Sequence, residues 1–303
     1  MGLLDRALVI ALPALPRSVV GRVSAPYIAG PTLNDARRTV ASLNACGKAA
    51  TVDVLGEEIT KPAEAQAIAD AYHAVLAAIE SDTLDANVSV KLTGLGLKLD
   101  LGLCRELLES LVRDASARGT FVRIDMEDST CVDDTLALYR ELRHTGLDNV
   151  GIVLQAYLKR TLADISDLAD LRPSVRLCKG IYVEPPTLAF QDGDVIRRAY
   201  VSALDALLAQ GCRVGIATHD ERLIEAALQR VVGLDRSAYE FQMLLGVREA
   251  RATELVTAGH RLRVYVPYGR RWYEYSLRRL QENPAMAGVI AKATLARIAG
   301  RAG

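Results

Sequence analysis

Four side chains near the C-terminal end of the chain are spaced for anion chemistry. Tyr275, Arg278, Arg279 and Glu282 fall at i, i+3, i+4 and i+7, which places them along one face of a helix. Two neighbouring guanidiniums match the geometry of a carboxylate or phosphate, and a phenol one turn below can pack against an apolar body. Glu282 can brace either arginine. The stretch 272–282 reads as a helix ended by Asn283-Pro284, because proline cannot continue it. A solvated helix laced with Glu/Arg pairs is the alternative for this segment taken alone.

A second group of polar residues ends a series of β-rich runs: Asp53, Lys91, Asp125, Gln155, Arg176 with Lys179, Thr218 with His219, Gln242, and Tyr265. Each has a structural reading by itself. Asp53 and Gln242 can tie strands together, Lys91 can pair with Asp125, and His219 can serve as a structural donor in a Thr-His-Asp turn. Together they describe a ligand-lined mouth with charges of both signs. The cations Lys91, Arg176, Lys179, Arg278 and Arg279 exceed what a carbonyl substrate needs; they suit a phosphate-bearing cofactor with a carboxylate substrate. A Schiff base at Lys91 is the competing chemistry. The chain has no G-x-S-x-G elbow, Walker loop, Cys/His motif or metal-binding motif.

The elements that must position these residues are legible from periodicity. β-rich runs at 50–55, 88–92, 121–125, 151–155, 175–179, 213–218, 239–243 and 262–266 alternate with amphipathic stretches at 62–80, 101–118, 133–145, 158–171, 194–210, 221–231 and 247–258. With the 272–282 helix, eight strands and eight helices predict an α/β fold, a parallel (β/α)8 TIM-type barrel. Its active site belongs at the C-terminal ends of the strands. Residues 1–48 read as a helical extension, with helices at 7–15 and 36–46, and 49–303 as the barrel domain. An open doubly wound sheet would carry G-x-G-x-x-G after its first strand. Here the only G-x-G run, Thr93-Gly94-Leu95-Gly96, follows the second strand and reads as a tight turn.

Composition narrows the partners. Among 303 residues, 37 Lys plus Arg balance 37 Asp plus Glu, so no basic field points to nucleic acid. Five scattered cysteines without a C-x-x-C pair argue for a reducing, cytoplasmic compartment, and four scattered histidines give no metal-site spacing. The uncharged run 7–15 is interrupted by Pro13 and too short to span a bilayer. It predicts a surface helix, with weak membrane contact as the minority reading.

Several separated motifs, in order from about Asp53 to Asn283, carry a resemblance. They are Val90-Lys91-Leu92-Thr93-Gly94-Leu95-Gly96, Ile124-Asp125-Met126-Glu127, Leu154-Gln155-Ala156-Tyr157, Arg176-Leu177-Cys178-Lys179-Gly180-Ile181-Tyr182, Ala217-Thr218-His219, Tyr239-Glu240-Phe241-Gln242-Met243-Leu244, and Tyr275-x-x-Arg278-Arg279-x-x-Glu282-Asn283. The chain resembles the FAD-dependent proline dehydrogenases. That resemblance implies a distorted barrel whose last helix lies over the mouth. It also implies oxidation of L-proline to Δ1-pyrroline-5-carboxylate by hydride transfer to flavin N5. By the same likeness Lys91, Arg278 and Arg279 hold the proline carboxylate, while Leu244, Tyr265, Tyr275 and Tyr182 enclose the ring near Asp125. Asp125 and Tyr182 are the expected catalytic residues. Met126, Gln155, Arg176, Lys179, Gly180, Ile181, Thr218, His219 and Glu282 are expected at the flavin. Quinone as electron acceptor, peripheral contact with the inner membrane face, and a separate dehydrogenase for the product are further family expectations.

The chain departs from the common family pattern at Ile181, Val183 and Asp220; the larger Ile181 is expected to narrow the substrate pocket or alter the flavin contact. Two other functions fit the residues alone: another flavin barrel, such as a folate reductase-like enzyme, and a non-catalytic barrel that binds an anionic metabolite.

Overall fold

A computed structural model of the chain describes residues 25–56 and 59–273. The β-rich runs form eight parallel strands in sequential order around a closed barrel: β1 (Ala49–Val54), β2 (Ala86–Lys91), β3 (Val122–Asp125), β4 (Val150–Gln155), β5 (Ser174–Cys178), β6 (Arg213–Ala217), β7 (Tyr239–Leu244) and β8 (Leu262–Tyr268). Each predicted strand is present, with ends shifted by one or two residues. The helices are α1 (Leu33–Ala45), α2 (Pro62–Ser81), α3 (Leu101–Ala117), α4 (Val132–His144), α5 (Thr161–Asp167), α6 (Gly193–Ala209), α7 (Glu221–Arg230) and α8 (Glu249–Thr257). Side-chain oxygens of Thr32, Asp100, Asp192 and Asp220 accept the orphan N–H groups at the starts of α1, α3, α6 and α7. The Gly94 run is the expected tight turn, a single 3-10 turn over Thr93–Leu95.

One expectation needs adjustment. The helix predicted over 158–171 is shorter, because residues 157–160 are tied to the loop after β5. There Tyr157 N–H donates to Lys179 O at 2.8 Å, and Leu158 bridges Ala189. The helix α1, within the expected N-terminal extension, packs against β8 and β1 on the outside of the barrel. In a regular barrel that place belongs to the helix after β8. The expected helices at 7–15 and 272–282, and a last helix over the mouth, lie outside the described residues or run beyond them.

Alternation along the strands sorts the side chains. Outward residues such as Val52, Val88, Ile124, Ile152, Leu177, Ile216 and Val264 are buried against the helices and form the main core. The inward set is polar, where barrels of this type usually stack branched apolar side chains. Ion pairs join Lys91 to Asp53 at 3.1 Å, Arg176 to Asp125 at 2.6 Å and Arg263 to Glu240 at 2.7 Å. Buried charges are tolerated only when paired and hydrogen-bonded. Arg123 relies instead on the carbonyls of Ile152 and Ser174, at 2.9 and 2.5 Å, and lies over the Phe121 ring. Burial and the neighbouring Arg176 charge pull its pKa down to about 9, so it stays protonated at neutral pH.

Glycines make room for this interior. A Cβ at Gly151 would sit 2.5 Å from Arg123 Nη1, and one at Gly215 would sit 2.4 Å from Gln242 Nε2. Any larger residue would push a charged or amide group off its partner.

Candidate active site

At the C-terminal ends of the strands, where the polar residues were expected to converge, lies a cavity of about 240 Å3. Of the expected site residues, Lys91, Asp125, Met126, Gln155, Arg176, Lys179, Gly180, Ile181, Tyr182, His219, Leu244 and Tyr265 line it. Thr218 does not: it is buried beneath, and its hydroxyl accepts the Asp220 N–H at 3.1 Å. Tyr275, Arg278, Arg279 and Glu282 lie outside the described residues. Gln242, expected at the mouth as a strand tie, also lines the cavity, as do Val153, Cys178, Ala217 and Met243, which the expected site did not include. Three of them carry a period-two signal: Val153 precedes Gln155 by two, Cys178 follows Arg176 by two, and Ala217 follows the inward Gly215 by two.

Asp125 is the electrostatic centre. One carboxylate oxygen accepts from Arg176 Nη1 at 2.6 Å and Ser89 Oγ at 2.7 Å. The other accepts from Tyr265 Oη at 2.9 Å and lies 3.7 Å from Lys91 Nζ. Burial alone would raise its pKa, but Arg176, Lys91, Ser89 and Tyr265 outweigh it and hold the carboxyl below the usual carboxylate value. An acceptor so fully engaged is a fixed negative charge rather than a ready proton acceptor.

Lys91 is shared between two acids. Both oxygens of the fully buried Asp53 accept from its Nζ at 3.1 Å, and Tyr265 Oη lies at 3.2 Å. Asp53 is itself fixed from below by Tyr72 of α2, whose hydroxyl reaches it at 3.2 Å and donates to Ser89 O at 2.6 Å. Lys91 therefore presents its ammonium from a preset position. The expected Lys91–Asp125 pairing exists, but the closer carboxylate is Asp53.

Arg176 extends from β5 across the cavity floor. Its Nε donates to Gln242 Oε1 at 2.6 Å, its Nη1 also reaches Ser89 Oγ at 3.1 Å, and its guanidinium lies 5.3 Å from the Tyr265 ring centre. Gln155 is locked by its amide donating to Glu127 O at 2.8 Å.

The rim is held by loop-to-loop bonds. Lys179 pairs with Asp220 at 3.1 Å, and Arg197 of α6 shares that carboxylate at 2.7 Å. Burial would raise the Asp220 pKa, but these two cations lower it. His219 Nε2 accepts the Leu244 N–H at 2.9 Å, which puts the ring proton on Nδ1 and ties the ends of β6 and β7 together. The histidine has the structural use anticipated in that turn, but with Nε2 as acceptor where a donor was expected, and it also lines the cavity.

The loop after β5, which carries Gly180, Ile181 and Tyr182, is anchored by buried Glu184. Its carboxylate accepts from Ser129 N and Ser129 Oγ, both at 2.6 Å. Gly180 has φ +106°, and a Cβ there would lie 2.1 Å from the Tyr157 ring. No other residue fits that turn. Ile181 is half exposed at the rim and Val183 is fully exposed beside it.

Chemically the cavity offers clamped cations, one fixed carboxylate, two phenols, and thioether and aliphatic walls from Met126 and Val153. Such a lining accepts a planar ring against its walls and an anionic group on its cations. Among the described residues no group of His, Cys, Asp and Glu is arranged to hold a metal ion.

Comparison with known proteins gives a consistent neighbourhood. The profile of a known family, described as Proline dehydrogenase, matches residues 36–292. The chain is 38% identical over 271 residues to proline dehydrogenase 1 of Bacillus subtilis, covering 89% of each chain. It is 37% identical over 289 residues to the proline dehydrogenase of Deinococcus radiodurans, covering 93% of each. The crystal structure of proline utilization A (PutA) from Bdellovibrio bacteriovorus, inactivated by N-propargylglycine, superposes with a TM-score of 0.80 at 25% identity. That similarity spans 86% of this chain and 33% of the much longer PutA.

Proposed function

The chain belongs to the proline dehydrogenase family, and we infer from that premise and from the cavity lining that it oxidises L-proline to Δ1-pyrroline-5-carboxylate with FAD. Oxidation of proline is the first step of proline catabolism. The observation that carries the finer reading is the joint presence of Lys91, Asp125, Arg176 and Tyr265 in one bonded lattice at the wall of a partly apolar cavity.

The donor set fits a flavin. Met126 and Val153 supply flat apolar contact, Gln155 and Arg176 supply hydrogen-bonding groups for a polar ring edge, and Lys179 at the rim supplies a cation for phosphate. When bound, FAD supplies the two-electron acceptor that takes hydride from the proline carbon next to nitrogen. The chain's own residues orient the substrate. Lys91, with Arg278 and Arg279 by family resemblance, holds the carboxylate, and Leu244, Tyr182, Tyr265 and Tyr275 enclose the ring. Asp125 keeps Arg176, Lys91 and Tyr265 in fixed positions, which lowers the entropic cost of reaching the reactive geometry. By the same resemblance, Glu282 is expected to brace the arginine helix.

Electrons then leave to a quinone, with the protein making peripheral contact at the inner membrane face of a cytoplasmic location, and a separate dehydrogenase consumes the product. Among the described residues no helix is long and apolar enough to cross a membrane.

The deciding measurement is the visible spectrum of the purified protein before and after anaerobic addition of L-proline. Flavin bands that bleach are the expected result. Bands that persist would reject proline as the reductant, and a protein that binds no added FAD would reject the cofactor. A companion test addresses the clamp. Loss of one charged hydrogen bond to substrate costs about 1.5 to 3 kcal/mol, so Arg278→Lys is expected to raise KM for proline about ten- to a hundredfold. An unchanged KM would remove that arginine from the carboxylate site.

A further inference from the structure

One layer below the cavity, two residues before Gln242 on β7, Glu240 is buried in the barrel interior. It is absent from the cavity lining. Its connection to the site runs through a single amide. Gln242 Oε1 accepts from Arg176 Nε at 2.6 Å, and Gln242 Nε2 donates to Glu240 Oε1 at 2.7 Å. An amide can face either way, and only one orientation gives Arg176 an acceptor; the other sets donor against donor. A carboxylate accepts only, so Glu240 selects the productive orientation.

Glu240 is itself fixed. Arg263 Nε donates to it at 2.7 Å, and Arg263 Nη1 donates to Ala50 O of β1 at 2.6 Å. The relay thus begins at the backbone of the neighbouring strand. Gly215 on β6 leaves the space that the Gln242 amide fills. At the upper end, Arg176 Nε is held by Gln242, and Nη1 by Asp125 and Ser89. Those bonds set the guanidinium plane, and among the described residues none engages Nη2. A guanidinium held at both Nε and Nη1, with the Nη2 N–H groups between them available, is preorganised for a ligand.

We propose that Glu240 and Gln242 are positioning residues: Glu240, acting through the Gln242 amide, holds the plane of the Arg176 guanidinium for the reaction. The proposal rests on the proline-oxidation reading for its rate measurement and on geometry alone for its binding measurement.

The test is a double-mutant cycle. Anaerobic stopped-flow mixing of the FAD-loaded enzyme with L-proline gives the rate constant of flavin reduction, and titration of the apoprotein with FAD gives a dissociation constant. Gln242→Met, which keeps the volume and removes both bonds, is expected to slow reduction about ten- to a hundredfold. Glu240→Gln, which can present a donor or an acceptor to the amide, is expected to slow it about three- to tenfold. If Glu240 acts through Gln242, the double variant matches Gln242→Met within about twofold, in rate and in FAD affinity. A purely structural role for Glu240 would instead multiply the two effects.

Gly215→Ala displaces the same amide without touching the ion pair, and it serves if Glu240→Gln does not fold. It is expected to reproduce the Gln242→Met loss. Multiplying effects, or Gln242→Met and Gly215→Ala proteins with wild-type rate and FAD affinity, would overturn the proposal. A wild-type protein that binds FAD but is not reduced by proline would reject the functional reading, and the FAD-affinity cycle would still decide the relay.

Discussion

Arg176→Lys is expected to slow flavin reduction by L-proline about a hundred- to a thousandfold, the range for losing one preorganised donor at a reacting centre. The guanidinium bonds Gln242, Ser89 and Asp125 at once, with distances of 2.6, 3.1 and 2.6 Å. A lysine carries one ammonium on a flexible stem and cannot satisfy three partners in a plane. Asp125 would lose its closest cation and the cavity its free N–H groups. The defect should appear in the reduction rate at saturating proline, since Lys91 and the expected arginine clamp remain to bind the carboxylate. A variant slowed less than about tenfold would remove Arg176 from the reacting centre.

Glu240→Ala is expected to cost about 3 to 5 kcal/mol of folding stability, because it leaves the buried Arg263 without its counter-ion. The same carboxyl should write its signature into the acid stability of the wild type. Burial alone would raise its pKa, but Arg263, by charge and hydrogen bond, and Arg213 lower it from 4.5 to about 2. A carboxyl depressed on folding contributes stability that is fully present above its unfolded pKa and lost as pH falls through its folded pKa. The window therefore runs from 4.5 down to about 2, and a shift of that size corresponds to about 3 kcal/mol. Urea unfolding at successive pH values through this window should show the wild type losing that increment. The Glu240→Ala curve should be flatter by the same amount; parallel curves would show that Glu240 is not linked to folding.

The two results probe different ends of one interior. A barrel that fills its centre with ion pairs rather than branched aliphatics gains little net stability from them, since desolvation offsets most of the attraction. The arrangement gains fixed directions for charges at the mouth. Asp53 presets Lys91, Glu240 sets Gln242, and Asp125 ties Arg176 to Tyr265. Gly151 and Gly215 are the steric condition for that interior.

Much of this was legible in the chain itself. Strand and helix positions follow from local preferences, β-branched runs bracketed by turn residues and amphipathic stretches closed by glycine, so they can be read within a dozen residues. The polar strand ends follow from the same reading, because a parallel barrel places all C-terminal ends at one mouth. Lys91, Asp125, Gln155, Arg176, Lys179, His219 and Tyr265 line the cavity for that reason, whereas Met126, Gly180, Ile181, Tyr182 and Leu244 were expected there only from the family resemblance. Pairing was decided only by the tertiary structure. Arg176 meets Gln242 across 66 positions and Tyr265 meets Asp125 across 140, contacts that depend on the register of a closed eight-stranded ring. Local sequence offered Asp125 as the partner of Lys91, yet closure of β8 and β2 around β1 brings Asp53 nearer. Periodicity states which way a side chain points; only closure of the barrel, which brings distant strands face to face, states what it meets.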